Sequence, residues 1–347
     1  MVKIKLILPI ILSLALAGCL GGSSGSGPDI GGVFKSINKG LVWQPVGAIL
    51  TTSGQANLSE VNVNTLVMDP NDANTFYLGS RDNGLFYTYD QGATWQVSRG
   101  LGQVGVTAVA IEPGAKCIIY AAAANRVYRS TDCSRSWEEV YFDNDPEIKV
   151  TSLAIDHYNT SHIYAGLSRG EIIKSFDRGL SWSTLERFDN AIIEISISPH
   201  DSRLLLALVN RDGIRRSTDS GANWIDLDDK LSEVDGRQVR DLSFSRTQPG
   251  LVLVATRAGL IKSTDNGSNW SKIELITPEE ETIINAVAVG TINPAEIYYV
   301  TDTSFYRSAD GGINWTPKKL PTSRAGWNLL LDPIDPNIIY LTARKIN

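Results

Sequence analysis

Seven side chains recur along this chain in one setting, Ser/Thr-x-Asp-x-Gly-x-x-Trp, and their type and spacing make them the first candidates for chemistry. The octets occupy residues 88–95, 130–137, 175–182, 217–224, 263–270 and 308–315, with carboxylates at Asp90, Asp132, Asp177, Asp219, Asp265 and Asp310; a copy at 36–43 has Asn38 in that place. A carboxylate beside a hydroxyl suits acid–base catalysis, but one constellation written seven times describes a scaffold, and no residue is assigned a catalytic role. A calcium loop beginning at Asp265 would need a bidentate Glu where Ile276 stands. His157, His162 and His200 fall in turns and read as ordinary turn histidines, so neither a metal nor another cofactor is expected. As a turn the octet is self-sufficient: Asp or Asn caps the backbone two residues on, Gly takes the positive φ, and Trp is buried. Burying the Trp contributes at most roughly 4–6 kcal/mol against about 1 kcal/mol for a turn hydrogen bond, so the indole should carry the stability.

The segments between octets must position these turns, and they read as four short strands each. Residues 65–70 form a central strand expected to be buried on both faces; 76–79 and 85–88 follow, then the strand that starts at Trp95. The same order restarts at 106–112, 150–156, 192–198, 239–244 and 284–289.

The octet resembles the Asp-box, or BNR repeat, of sialidases, sortilin-type receptors, two-propeller glucanases and photosystem II assembly-factor-like proteins. That resemblance implies an all-β fold, a β-propeller of four-stranded blades, and no particular activity. Residues 327–331 and 338–341 supply the first two strands of a final blade, and 33–36 with 41–46 supply its last two. Six complete units and two halves make a seven-bladed ring over residues 31–347, closed by pairing the two ends of the chain, which removes free sheet edges.

The N-terminus carries a second signal. Lys3 and Lys5 precede an apolar run over 6–17 that contains Pro9 and is short for a bilayer span. Leu16-Ala17-Gly18-Cys19 resembles the bacterial lipobox, which implies a signal peptide over 1–18 and a diacylglyceryl-modified, N-acylated Cys19 on a tether over 19–30. Leu20 after the cysteine implies an outer membrane in a Gram-negative source, the protein facing the periplasm or the cell surface. In that oxidising compartment Cys117 and Cys133, opposite each other across one predicted hairpin, should form a disulfide beside the octet in which Ser134 replaces Gly. The net charge of −6 argues against nucleic acid as a partner.

In propellers related by this resemblance, ligands meet the face opposite the octet turns. The turns between second and third strands lie there, and six of the seven carry an arginine: Arg81, Arg126, Arg169, Arg211, Arg257 and Arg344. These guanidinium groups could bind a carboxylate, a sulfate or an acidic protein segment; alternatively they are tolerated turn residues neutralised by Asp82, Glu171 and Asp212. The loop over 44–62 is either a docking lip or a packed cover on the closing blade, and 141–147, 226–235 and 278–281 are acidic loops. Three readings follow: a membrane-anchored lipoprotein that binds an envelope protein or complex as scaffold or assembly factor, a glycoside hydrolase of sialidase type, or a binder of acidic glycans. A sialidase-like site needs an Arg-Ile-Pro segment and a Tyr–Glu pairing that this sequence does not offer, and the glucanases place their acids between two propellers.

Overall fold

The computed structural model describes residues 27–51, 54–227, 231, 238–277 and 283–346. The signal segment, Cys19 and the first part of the tether lie outside the described residues, as do most of 226–235 and 278–281. No helix among the described residues is long and apolar enough to cross a membrane.

Among the described residues, twenty-eight of thirty strands form seven four-stranded antiparallel blades. Five are β9–β12 (Val106–Ile111, Ile119–Ala123, Arg126–Ser130, Glu138–Phe142), β13–β16 (Val150–Ile155, Ile163–Leu167, Glu171–Ser175, Ser183–Arg187), β17–β20 (Ile192–Ser198, Asp201–Val209, Gly213–Ser217, Ile225–Asp226), β21–β24 (Val239–Phe244, Val252–Thr256, Gly259–Ser263, Ser271–Ile273) and β25–β28 (Ile284–Val289, Ile297–Thr301, Ser304–Ser308, Thr316–Lys319). A sixth, β5–β8 (Val63–Asp69, Asp72–Ser80, Leu85–Thr88, Thr94–Val97), carries two extra strands on its outer edge. The seventh combines β1 (Gly32–Ser36) and β2 (Gln44–Pro45) with β29 (Ala325–Leu331) and β30 (Ile339–Arg344) in the order β2-β1-β30-β29. β1 pairs with β30 from Gly32↔Ala343 to Ser36↔Ile339, so the chain ends close the ring.

The octet turns share one geometry, with a correction to the expected cap. The Ser or Thr hydroxyl, not the Asp, accepts the N–H two residues on, and it also accepts that of the glycine: Ser263 Oγ lies 3.3 Å from Asp265 N and 2.9 Å from Gly267 N. Asp265 Oδ1 reaches further, accepting the N–H of Asn269 four residues on at 2.8 Å. Asn266 and Gly267 both take positive φ, 62° and 77°, so the chain reverses sharply enough to aim Trp270 back at the blade. At Ser134 the missing glycine is tolerated at φ 63°, and there Cys133 and Cys117 are joined, with the Cys133 N–H donating to Cys117 O.

A second correction concerns burial. The first strands line the axial channel, and several of them, β5, β17, β21 and β29, are only partly buried, whereas β25 is buried throughout; the second strand, as in β10, β14, β22 and β26, is covered on both faces. The apolar core therefore lies between blades, for instance Tyr120, Val127 and Ala122 against Val150, Leu153 and Ile163. Only Trp95 of the octet indoles is fully buried, and several bond to the preceding blade: Trp182 Nε1 to Val140 O at 2.9 Å, Trp137 Nε1 to Ser98 Oγ at 2.9 Å. The basic residue just before the octet hydroxyl latches forward, Arg129 Nη1 to Arg178 O at 2.9 Å and Arg216 Nε to Asn266 O at 2.7 Å.

The segment 44–62 departs from a plain loop. It folds into a hairpin, β3 (Ala48–Thr51) and β4 (Gly54–Asn57), and β3 pairs in parallel with β8 through Ala48↔Thr94 and Ile49↔Trp95. Its apolar residues thus cover the outer edge of the first full blade, with Ile49 and Leu58 buried.

Candidate ligand site at the channel mouth

The site is built by an irregularity repeated around the inner ring. Every first strand carries a bulge near its start, at Asn64, Thr107, Thr151, Ile193, Arg240, Asn285 and the pair Trp327 and Asn328. A bulge re-aims its side chain, and here the polar ones reach the next blade. Thr107 Oγ1 donates to Val150 O at 2.6 Å and Thr151 Oγ1 to Ile192 O at 2.6 Å. Asn285 Nδ2 donates to Gly326 O at 2.9 Å, Trp327 Nε1 to Asn64 O at 3.1 Å, and Asn64 Nδ2 to Val106 O at 3.1 Å. Ile193 has no polar group with which to form such a bridge, and Arg240 is exposed at the mouth.

One residue further along, the ring is joined in the opposite sense. Ser152 Oγ accepts Ile195 N at 2.9 Å, and Asp241 Oδ2 accepts Val287 N at 2.7 Å. Glu194 occupies the same place on β17, where it accepts the Leu242 N–H and holds the Ser196 hydroxyl at 2.5 Å. Glu194 and Asp241 thus stand on adjacent first strands facing the channel. Burial pushes the Glu194 carboxyl up to about 7. Burial, and then the charge of Glu194, pushes Asp241 up as well.

These strands line a cavity of about 560 Å³ on the axis, which includes Glu194, Asp241, Arg240, Trp327 and Arg344. A neighbouring pocket of about 330 Å³ shares Arg240 and Trp327 and adds Arg211, Gln238 and Asn210. Arg344 stacks on Trp327 with its Cζ 3.0 Å from the ring centroid, and its Nη1 donates to Asn64 Oδ1 at 3.3 Å. Burial, with Arg81 nearby, lowers Arg344 to about 10, which leaves it charged at neutral pH. The mouth therefore combines guanidinium donors with a flat indole, a combination suited to carboxylates.

The turn arginines divide. Arg211, in a left-handed conformation at φ 59°, and Arg344 reach the cavities, and Arg81 lies near enough to act on Arg344. Arg126 pairs with Glu139 and stacks over Phe142; Arg169 is held by Glu171 at 2.7 Å and Asp143 at 3.2 Å. Arg257 is exposed in its turn and lines neither cavity. Asp212 pairs with Arg215 at 2.8 Å. Arg240, Trp327, Glu194 and Asp241 had no place in the reading of the turns. Their signal is a charged or aromatic residue at the second or third place of a first strand, where other blades have Thr, Asn, Ser or Ala. The octet aspartates, His157, His162 and His200 lie at the opposite end of the blades, where His162 Nδ1 is 3.8 Å from Asp156. Among the described residues no group of His, Cys, Asp and Glu is disposed to hold a metal ion.

No protein-family model matches this chain. A xyloglucanase of Acetivibrio thermocellus is 26% identical over a region covering 57% of this chain and 29% of its own length. The chain thus spans less than a third of that curated relative. Among solved structures, the GH74 xyloglucanase from Xanthomonas campestris superposes with a TM-score of 0.67 at 18% identity, over 87% of this chain and 52% of that one. YCF48 bound to D1 peptide gives 0.63 at 15%, over 83% and 93%, and YCF48 from Cyanidioschyzon merolae 0.62 at 14%, over 82% and 96%. These likenesses establish the seven-bladed propeller fold.

Proposed function

We propose that this chain is a membrane-tethered binding propeller, its octets being Asp-boxes, that holds an acidic segment of an envelope protein at the channel mouth as scaffold or assembly factor. Cys19 carries the lipid in this reading, and the outer membrane is the proposed location. The observation that carries it is the convergence of Arg211, Arg240 and Arg344 with Trp327 on one mouth. The match to nearly the whole of YCF48, one example of which is bound to a peptide, supports it further. The test begins with the lipidated protein purified from its membrane in mild detergent and the partner that accompanies it in fixed proportion. An Arg211→Ala/Arg240→Ala/Arg344→Ala variant should bind that partner at least tenfold more weakly, since charge-assisted hydrogen bonds contribute about 1.5–3 kcal/mol each. Undiminished binding would overturn the reading.

A second reading, glycan binding or glycoside hydrolysis, is favoured by one observation: Glu194, raised to about 7, and Asp241 line the same cavity. Paired carboxylates of this kind are the equipment of glycosidases, and the relatives include xyloglucanases. Xyloglucan hydrolysis by the intact protein that disappears in Glu194→Gln would replace the binding reading. Both carboxylates, however, already accept backbone N–H groups from the next blade.

A further inference from the structure

The N-terminal segment leaves the ring at a built position. Thr322 Oγ1 donates to Ile30 O at 2.6 Å and Pro28 O at 3.0 Å, and Gly31 N donates to Ser59 O at 2.6 Å. Arg324, its side chain 2% exposed, donates through Nε to Asp29 Oδ1 at 2.8 Å and through Nη2 to Glu60 Oε2 at 3.2 Å. Gly31 fits only because it has no side chain; a Cβ there would lie 2.5 Å from Arg324 Nη1 and 2.8 Å from Val61 O. Thr322 and Arg324 belong to the connection from β28 to β29, and Gly32 pairs with Ala343 beside Arg344. That is the end of the blades where the arginine turns and the channel mouth lie, opposite the octet turns.

From this placement the geometry points to an orientation: the arginine-bearing mouth is turned toward the bilayer that holds Cys19, and its occupant is an acidic segment of a protein rooted in that same membrane. The inference rests on the lipid-anchored reading above. Seven residues lie between Cys19 and Gly27, so over eight Cα-to-Cα steps Gly27 stands no more than about 28 Å from the acylated residue. First strands of six or seven residues alone span roughly 20 Å. With the octet face on the bilayer, the tether would have to run back along the whole blade; with the mouth on it, the reach is easily met. The occupant follows from shape and charge. Arg344 sits half-buried behind Trp327, accessible to a single chain and not to a flat headgroup surface.

The experiment uses the acylated full-length protein in phosphatidylcholine vesicles that carry a headgroup quencher. Labels are placed at Thr303→Cys or Ile313→Cys, opposite ends of one blade; position 303 lies in the one such turn without an arginine. The Thr303→Cys label should lose most of its fluorescence and the Ile313→Cys label little; equal or reversed losses overturn the orientation. Flotation of the wild type that persists in Cys19→Ser, or fails in both, identifies a failure of the anchor reading instead. A palmitoylated Glu-rich peptide in the same vesicles should then transfer energy to the Thr303→Cys label, and Arg240→Ala/Arg344→Ala should abolish the transfer. Transfer unchanged in that variant, or quenching of Thr303→Cys that requires phosphatidylglycerol, overturns the assignment of the occupant.

Discussion

Glu194 and the octet aspartates place opposite demands on pH. Glu194 is raised from an ordinary 4.5 to about 7, so its folded state favours the proton, and the stability it contributes is complete below about 4.5 and lost as pH rises through about 7. Asp132 and Asp310 are held at about 2 rather than 3.8, chiefly by hydrogen bonds from Ser136 and Asn314; their contribution is complete above 3.8 and lost as pH falls toward 2. The melting temperature should therefore rise as pH falls from about 8 to about 5 and fall again below about 3.5. Calorimetry of Glu194→Gln/Asp241→Asn, which removes both raised carboxyls, should show the upper limb flattened and the lower one unchanged; an upper limb that persists would mean that another group titrates there. The octet carboxylates were legible in the sequence because their role is local, each contact lying within four residues. Glu194 was not, because its environment is assembled by Leu242 and Asp241 from the next blade.

At the scale of elements, the first strands bind the ring together through their bulges. Thr151→Val keeps the shape and removes the donor to Ile192 O and Gly166 O, which should cost about 1 kcal/mol in urea unfolding. Thr184→Val, on an exposed outer strand, should stay within about 0.5 kcal/mol. Equal costs would show that the inner bridge contributes nothing of its own. Strand existence followed from hydrophobic runs and turn residues, and the first strands at Val106, Val150, Ile192, Val239 and Ile284 begin at the residue expected. The β3–β4 hairpin escaped that reading because β3 is a parallel edge addition: its partner, Thr94–Val97, lies more than forty residues away and no tight turn announces the pairing. The burial order was also misjudged, since apolar runs in first and second strands look alike and only the ring decides which of them faces the channel.

For the whole molecule, closure is the feature on which the fold depends. β1 gains its inner partner only if β30 is present, and β29 completes the core between the last full blade and the first. Removal of residues 327–347 should abolish the single cooperative transition in thermal circular dichroism; a truncated chain that still melts sharply would show that six blades suffice. The number of blades, the location of the octet turns and the pairing of the chain ends were determined by the sequence alone, because each rests on short-range turn chemistry repeated at a regular interval. The tertiary structure alone decided which arginines meet at the mouth, that Arg240 and Trp327 join them while Arg126 and Arg169 turn to carboxylates, and that Glu194 and Asp241 face one channel. Those arrangements depend on bulges and on the rotation between neighbouring blades, which bring together residues separated by scores of positions and leave no local pattern in the chain.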